Sequence, residues 1–368
     1  MAEQRLQPLD ALRGFIMIVM ALDHANAFIA HAHPRPEFWS GPFPTYPDAL
    51  AFLTRFVTHL AAPGFFFLMG AGITLFADSH RERGWTETAT TQHFIARGLL
   101  LVALQFLLEN AAWQIGAILS GGGALLPVYF GVLYGLGGAM FLAAFLRRAP
   151  SSLLALLSLV LLLLPEVLIR SDFPLDFLSP LMGLLLIPSA SRWATIYYPI
   201  LPWLGLTGLG LLFGRLLLQD RQRTYQRSAV AGVALLALFV VVRALDGFGN
   251  IRSAAGPGWI SFLNVVKYPP SLTFVLLTLG ANLLLLSLFS RFEPWTKHLV
   301  VFGRSPLFFY ITHLYLYGLL GFFFFPEGTG ILKMYPIWLI GLAILYFLCL
   351  GYGRFKSRQA PDALWRFA

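Results

Sequence analysis

Residues 11–30 read ALRGFIMIVMALDHANAFIA, an apolar stretch of the length that an α-helix needs to cross a bilayer. Polar interruptions are few, namely Arg13 near its start and Asp23-His24 and Asn26 in its second half. Similar runs recur along all 368 residues, which are 58% hydrophobic and only 12% charged. This composition leaves too little polar surface for a water-soluble protein. The sequence therefore predicts an all-α, polytopic membrane bundle.

The apolar runs, separated by Gly, Pro and charged residues, predict about ten transmembrane helices. The predicted spans are 11–30, 50–76, 94–110, 125–146, 152–169, 196–217, 228–245, 271–290, 301–320 and 331–352. Lys and Arg concentrate in alternate connecting segments, beginning with the N-terminal one. Because cytoplasmic loops carry the excess of basic residues, we expect both termini in the cytoplasm. We expect residues 1–368 to form a single transmembrane domain.

Several other classes of protein are disfavoured. The net charge is +9, but the basic residues lie at helix ends and form no run interleaved with aromatics, so no nucleic acid partner is expected. The first span is too long for a signal peptide and Asp23-His24 interrupts it. Cys349 is the single cysteine, which excludes an intramolecular disulfide and a cysteine zinc site. The pair His31 and His33 is too weak a signal for a metal site, and none is expected.

Three histidines lie within predicted spans at a similar depth. They are His24 in the first span, His59 in the second and His313 in the ninth, and Asp23 precedes His24. Ionisable residues are costly in hydrocarbon, so each is a candidate functional residue. Imidazole with a carboxylate beside it suits acid/base chemistry near neutral pH. We therefore name these four residues as candidate catalytic groups. The alternative is that each histidine only makes an interhelical hydrogen bond.

Further polar residues are candidates for substrate binding within the membrane. Glu109 ends the third span on the outer side, and Asn282 lies at mid-depth in the eighth. Arg55 is one helical turn before His59, so the two share a helix face. Pro63 on the same face is expected to bend the helix. In the fourth predicted span, Gly131, Gly135 and Gly138 predict packing within the chain, with a homodimer seam as the alternative.

The inner ends of the spans carry a second group of candidate binding residues. Asp10 and Arg13 lie at the start of the first span, Arg97 at the start of the third and Arg304 at the start of the ninth. Guanidinium groups suit phosphates, whereas contact with membrane lipid headgroups is the alternative. The sequence Arg304-Ser305-Pro306 is the sharper signal, because a proline at a helix start leaves free amides beside the arginine.

Four sequence blocks carry a family resemblance. Residues 5–14, RLQPLDALRG, followed by a helix with Asp23-His24, resemble the opening of the transmembrane acyltransferase superfamily. Residues 54–63, TRFVTHLAAP, continuing to Gly72, resemble the second helix of bacterial proteins with a heparan-α-glucosaminide N-acetyltransferase catalytic domain. The stretches 198–205, YPILPWLG, and 303–313, GRSPLFFYITH, resemble later blocks of the same family. The resemblance runs from residue 5 to about 350.

The resemblance implies an enzyme of the bacterial cytoplasmic membrane with no permanently bound cofactor. It would take an acyl group, typically acetyl from cytoplasmic acetyl-CoA, and deliver it to an amine or hydroxyl of an extracytoplasmic glycan or related acceptor. The matching positions are Asp10, Arg13, Arg55, His59, Pro63, Arg304 and His313. The arginines at the cytoplasmic mouth would hold the CoA phosphates. His24 or His59 would deprotonate the acceptor or accept the acyl group.

One departure from the family pattern keeps the catalytic histidine open. The eukaryotic lysosomal enzymes have an acidic residue in place of His59 and carry their active histidine in the preceding luminal loop, where this chain has His31 and His33. The alternative function is a proton-coupled transporter or flippase for an anionic solute, since intramembrane histidines and carboxylates also build proton relays.

Overall fold

The computed structural model describes residues 6–119, 126–171 and 179–359, so Arg5 of the opening block and residue 125, the start of the fourth predicted span, lie outside it. The helices are α1 Gln7–Ala25, α2 Ala49–Thr58, α3 Ala61–Glu82, α4 Glu87–Leu104, α5 Asn110–Leu119, α6 Val132–Leu146, α7 Ser151–Arg170, α8 Ser179–Leu185, α9 Ile200–Gln219, α10 Arg221–Leu245, α11 Trp259–Leu263, α12 Leu272–Arg291, α13 Lys297–Gly303, α14 Pro306–Phe324 and α15 Ile331–Ser357. The π-helical turns Asn26–Ala30 and Gln105–Glu109 follow α1 and α4. The strands are β1 Val128–Phe130, β2 Ser189–Ala190 and β3 Ala194–Ile196.

Nine helical segments in the described part of the chain are long and apolar enough to cross a membrane. They are α1 with its π-helical turn, α2 with α3, α4 continuing into α5, and the single helices α7, α9, α10, α12, α14 and α15. Helices suit this environment because they satisfy their backbone hydrogen bonds internally. The predicted all-α polytopic bundle is confirmed, and the chain is an integral membrane protein.

The fourth predicted span, residues 125–146, differs from the structure. Helix α6 begins only at Val132 and has 15 residues, fewer than a full span. Before it, β1 pairs in parallel with β3, which pairs antiparallel with β2. The sixth span was predicted to begin at residue 196. Because β3 extends to this residue, α9 begins only at Ile200. Hydropathy alone does not separate a short apolar strand from an apolar helix.

Glycines allow close contact between neighbouring helices. A Cβ atom at Gly14 of α1 would collide with the Leu299 carbonyl of α13, and Gly70 of α3 approaches the backbone of α9 in the same way. Small residues generally permit such close approach in membranes. In α6, Gly135 and Gly138 face Tyr198 and Ile200 of this same chain. Helix α1 also contacts α3, α12 and α14, and therefore lies centrally in the bundle.

The second span is interrupted between α2 and α3. Pro63 has no N–H group to donate to the carbonyl four residues earlier, and α2 ends at Thr58. The side-chain amide of Asn282 in α12 donates to the Leu60 carbonyl at 3.1 Å and to the Thr278 carbonyl at 2.8 Å. A neighbouring helix thus supplies a hydrogen bond to the interrupted backbone. The irregular turn lies at His59 and Leu60, just before Pro63, and both residues keep right-handed helical dihedral angles.

The loops at one end of the bundle are paired by backbone hydrogen bonds. The N–H groups of Lys267 and Tyr268 donate to the Glu37 carbonyl at 3.0 and 3.1 Å, and the Trp39 N–H donates to the Tyr268 carbonyl at 2.9 Å. This pairing fixes the segment that carries Glu37 over the end of α2. We call this the loop end of the bundle. The opposite end, where α1 begins and α15 finishes, is called the basic end.

Candidate active site

The described residues form a cavity toward each end of the bundle. The loop-end cavity has a volume of about 490 Å³, and the basic-end cavity has a volume of about 840 Å³. The polar and aromatic side chains that line the loop-end cavity include Asp23, His24, His31, His33, Arg55, Thr58, Glu109, Tyr129, Tyr197, Tyr198, Lys267, Tyr268 and Tyr310. The two cavities differ in their chemistry and are described in turn.

His24 of α1 and His313 of α14 form a hydrogen-bonded pair. Nδ1 of His24 lies 2.7 Å from Nε2 of His313, and Nδ1 of His313 lies 3.0 Å from the Phe309 carbonyl oxygen. Because a carbonyl only accepts, His313 carries its proton on Nδ1 and, as a neutral ring, accepts from Nδ1–H of His24. Neutral His24 then has its lone pair on Nε2. His24 lines the loop-end cavity, where it is a candidate general base.

Arg55 is the centre of a buried ion network. Its Nε and Nη2 donate to the two carboxylate oxygens of Glu37 at 2.8 and 2.7 Å, and its Nη1 donates to both oxygens of Asp23 at 2.8 Å. Nε2 of His33 lies 3.3 Å from Asp23, and the Thr58 hydroxyl donates to Asp23 at 2.9 Å. Arg55 is only 2% exposed. Two carboxylates therefore compensate the charge of a cation that is almost completely buried.

His59 lies behind this network, against Glu37. Its Nε2 is 3.2 Å from Oε1 of Glu37, outside hydrogen-bond geometry, and its Nδ1 has no hydrogen-bond partner among the described residues. Glu37 is completely buried. Burial alone would raise the pKa of Glu37, but Arg55 and then His59 lower it well below the ordinary value. Glu37 therefore remains ionised and keeps the charge of Arg55 balanced.

Tyrosines form much of the remaining wall of the loop-end cavity. The ring centroids of Tyr197 and Tyr198 lie 5.1 and 5.5 Å from that of Tyr268, and Tyr129 lies 5.4 Å from Tyr197. Burial raises the pKa of Tyr198 and of Tyr268, so both hydroxyls keep their protons. Lys267 is 4% exposed, with Nζ 5.0 Å from the Tyr268 centroid. The wall thus combines apolar faces with hydroxyl and ammonium donors, as small-molecule sites do.

Glu109 closes this cavity on the side of α4. It ends the π-helical turn that Gln105 begins, and such turns are frequent at functional sites. Gln105 is engaged with the backbone, because its Oε1 accepts from the Tyr134 N–H and its Nε2 donates to the Tyr129 carbonyl, both at 3.2 Å. Glu109 is 2% exposed, and its Oε2 has no hydrogen-bond partner in the described parts of the chain. The carboxyl group therefore retains unused hydrogen-bonding capacity.

The basic-end cavity has an excess of positive charge. Its cationic lining residues are Arg13, Arg83, Arg97, Arg221, Arg304 and Lys356, and its acidic ones are Asp10, Asp78 and Glu82. Asp10 accepts from Nη1 of Arg13 at 2.7 Å and lies 3.9 Å from Nε of Arg304. Arg97 has neither a hydrogen bond nor an ion pair within residues 6–119, 126–171 and 179–359. Guanidinium groups in this setting suit a phosphate-bearing ligand.

Phe65 of α3 and Tyr310 of α14 belong to the walls of both cavities. Tyr310 is one helical turn before His313, and the two ring centroids are 5.6 Å apart. The partition between the cavities therefore adjoins the histidine pair. A ligand that fills the basic-end cavity up to this partition would reach the neighbourhood of His24.

The structure divides the predicted site residues between the two cavities. Asp23, His24, Arg55 and Glu109 line the loop-end cavity, and Asp10, Arg13, Arg97 and Arg304 line the basic-end cavity. His313 and His59 lie behind His24 and Glu37, respectively, and line neither cavity. Asn282 also lines neither cavity, because its amide binds the backbone at the break of the second span. Across the described residues, no cluster of three or more His, Cys, Asp or Glu side chains is arranged to hold a metal ion.

Sequence reasoning missed Glu37, Lys267 and Tyr310. Glu37 and Lys267 lie in loops outside the predicted spans, where charged residues are common and carry little signal. Tyr310 lies within a span, but a tyrosine in an apolar helix commonly serves only to pack against neighbouring side chains. The available signal for Glu37 was an acidic residue within an otherwise proline- and aromatic-rich loop. Only the fold brings Lys267 and Tyr310 to the cavities and Glu37 to Arg55.

The family model described as the catalytic domain of heparan-α-glucosaminide N-acetyltransferase matches residues 5–245. The matched region carries His24, the Arg55 network and Glu109, whereas Tyr310 and His313 follow it. The search of curated proteins finds no match. The match covers more than half of the chain and confirms the resemblance of the first three sequence blocks, whereas the block 303–313 lies beyond it. The chain therefore belongs to the heparan-α-glucosaminide N-acetyltransferase catalytic-domain family, which implies a membrane acetyltransferase-like function.

Proposed function

We propose that this protein transfers an acyl group, typically acetyl, from acetyl-CoA at the basic end to an amine or hydroxyl of a glycan or related acceptor at the loop end. The observation that carries the proposal is the pair of cavities that share Phe65 and Tyr310 as a partition. One cavity is rich in arginines, and the other contains the histidine pair. Donor and acceptor can then be held at the same time, as direct transfer between two bound molecules requires.

The donor side is supported by the charge of its cavity. Acetyl-CoA combines phosphates with a long, narrow arm that ends in the thioester. Arg97 and Arg304 are suited to the phosphates because Arg97 lacks a counter-ion among the described residues and Arg304 is largely solvent-exposed. The arm would run between α1, α3 and α14 toward Phe65 and Tyr310. Acetyl-CoA is a cosubstrate in this proposal, and no permanently bound cofactor is needed.

The acceptor side is supported by the hydrogen-bond direction at His24. Nε2 of His24 takes the proton of the acceptor amine or hydroxyl while that atom attacks the thioester carbonyl. The C–S bond then breaks, and its electron pair leaves with sulfur. His313 holds His24 in the required tautomer, as the orienting partner of a catalytic histidine does. Arg55 of α2 forms ion pairs with Asp23 of α1 and with Glu37, and these pairs hold the two helices and the intervening loop together.

The orientation in the membrane follows from the basic residues. The positive-inside rule favours an orientation with the basic end and both termini in the cytoplasm, where acetyl-CoA is available. The loop end then faces the extracytoplasmic side of a bacterial cytoplasmic membrane. Transfer is therefore vectorial in this proposal, since donor and acceptor approach from opposite sides.

The test uses the purified full chain in liposomes. Labelled acetyl-CoA is supplied outside inside-out vesicles, and glucosamine, an amine-bearing sugar, is enclosed in their lumen. The expected result is loss of thioester together with labelled N-acetylglucosamine in the lumen, and neither product with the His24→Ala protein. The proposal is wrong if acceptors bearing amines or hydroxyls never accelerate thioester loss. Uptake of an anionic solute without thioester loss would favour the transporter alternative.

A further inference from the structure

Tyr310 and Glu109 are two buried polar residues beside the partition between the cavities, and the steps described above do not use them. Both residues line the loop-end cavity, and the Tyr315 hydroxyl of α14 donates to the Leu108 carbonyl beside Glu109 at 2.9 Å, so α14 packs against the turn that carries Glu109. Tyr310 is 5% exposed and Glu109 is 2% exposed. Tyr310 lines both cavities, whereas Glu109 lines only the loop-end cavity. The pair therefore extends from the acceptor side to the surface that the donor would contact.

Glu109 differs from the other buried carboxyl groups at the loop end. Asp23 and Glu37 each receive hydrogen bonds from Arg55, whereas no Lys or Arg forms an ion pair with Glu109 in the described part of the chain. A buried carboxyl group without a cation beside it is most stable as the neutral acid. Its Oε2 also lacks a hydrogen-bond partner. Glu109 is thus suited to carry a proton that it can give away.

The shape of the backbone makes room for this carboxyl group. A Cβ atom at Gly131, just before α6, would collide with Oε1 of Glu109 and with the Tyr129 ring. The π-helical turn positions Glu109 toward the cavity, and Gln105 at the start of that turn is held by two backbone groups of the β1 region. Gly131, the π-helical turn and the β1 region therefore hold Glu109 toward the cavity that Tyr310 also lines.

Resting on the acyl transfer proposed above, we infer that Tyr310 is a catalytic residue that protonates the departing thiolate of the donor and that Glu109 resupplies its proton. The C–S bond breaks with its electron pair on sulfur, and sulfur takes the proton of the Tyr310 hydroxyl. Tyr310 takes the carboxylic proton of Glu109 in the same step. The acceptor proton resides on His24, so the overall charge is unchanged.

The cycle closes within the loop-end cavity. After transfer, His24 is protonated and Glu109 is ionised, and both line that cavity. A proton passes from His24 to Glu109 through the cavity once the acylated product leaves, and both groups return to their starting states. The net reaction is acceptor plus thioester to acylated acceptor plus thiol. No further reactant is required.

The test compares two donors that differ in how much their leaving group needs a proton. Acetyl-CoA releases an alkyl thiolate, whereas phenyl thioacetate releases the more stable aryl thiolate. The variants are Tyr310→Phe and Glu109→Gln, and glucosamine is the acceptor. The matched control is Tyr317→Phe on the same helix, because Tyr317 is fully buried, donates to the Trp338 carbonyl at 2.8 Å and lines neither cavity.

With acetyl-CoA we expect kcat of both variants to fall by about 10²-fold or more, the usual scale for a lost proton-transfer group, while KM changes little. With phenyl thioacetate the loss should shrink to less than about tenfold, because the aryl thiolate leaves without a proton. The Tyr317→Phe variant should change kcat by the same factor with both donors. Equal losses with both donors would overturn the role of Tyr310 and leave the acyltransferase proposal intact. A wild-type protein that consumes neither donor would overturn both proposals.

Discussion

The loop end and the basic end both contain arginines, but they differ in how closely carboxylates approach the guanidinium groups. At the loop end, Arg55 is 2% exposed and donates to both Asp23 and Glu37. At the basic end, the Arg304 side chain is 53% exposed, and its nearest carboxylate oxygen, on Asp10, is 3.9 Å away. An arginine whose charge is neutralised inside the protein stabilises the architecture. One that faces a cavity without a close counter-ion is available to a ligand.

The largest effect is expected from breaking the neutralised network. Arg55→Met leaves two buried carboxylates without their cation, and breaking a buried pair in this way costs about 3–5 kcal/mol of folding stability. We expect little folded protein in detergent, measured by the yield of the monodisperse peak and by the thermal midpoint. Arg81→Ala is the control, because Arg81 pairs with Asp78 at the surface, where ion pairs contribute about 0–1 kcal/mol.

A charge-balanced variant sharpens this prediction. Combining Arg55→Met with Asp23→Asn and Glu37→Gln removes the uncompensated charges, so the triple variant should be more stable than Arg55→Met alone. If the triple variant is less stable than the single one, charge compensation does not explain the network.

The second largest effect is expected on catalysis at the loop end. His24→Ala removes the base but leaves the Arg55 network in place, so we expect acetyl transfer to fall by about 10²–10⁴-fold with a nearly unchanged thermal midpoint. The assay is release of free thiol from acetyl-CoA with glucosamine present. His298→Ala is the control, because His298 is exposed and bonded to Tyr346. Wild-type turnover in the His24→Ala protein would contradict the assignment of His24 as the base.

A smaller effect is expected from the available arginines of the basic end. Arg97→Gln should raise KM for acetyl-CoA about tenfold, the scale of one lost hydrogen bond to a charged group, and should leave stability unchanged. The wild-type KM should rise with ionic strength because the cavity is open to ions, and this salt dependence should weaken in the variant. Arg148→Gln serves as the control, since Arg148 is exposed and lines neither cavity. An unchanged KM in the Arg97 variant would place the donor elsewhere.

The smallest expected effect is a pH dependence of stability. Burial raises the pKa of Glu37, but Arg55 and then His59 lower it further, so its folded-state value lies below the ordinary value. The stabilisation by ionised Glu37 is therefore fully present above that ordinary value and is lost as pH falls through the lowered one. The difference in thermal midpoint between wild type and Glu37→Gln should shrink toward low pH, measured by differential scanning fluorimetry. Glu327→Gln, at an exposed position, should show no such trend.

The sequence predicted the membrane bundle well and the site only in part. Apolar runs locate helices because each span must be long enough to cross the hydrocarbon, a local property of consecutive residues. The strand at Val128–Phe130 escaped this reasoning because its pairing partner, Ala194–Ile196, is far away in the chain. The rule that buried ionisable residues are candidates identified His24 and Glu109. A polar side chain at mid-depth in a span also selected Asn282, which donates to the Leu60 carbonyl and lines neither cavity.

The amino-acid sequence by itself determined that this protein lies in a membrane, the class of its fold and its family. Composition, the length of apolar runs and the order of motifs can all be seen without knowing which residues are in contact. Tertiary structure decided which arginine charges are compensated by carboxylates within the protein and which remain available to a ligand. Glu37 meets Arg55 only because two loops pair over the end of α2, and Tyr310 adjoins both cavities only because α14 packs beside α1. Such roles depend on distances between residues far apart in the chain, which residue type and spacing do not specify.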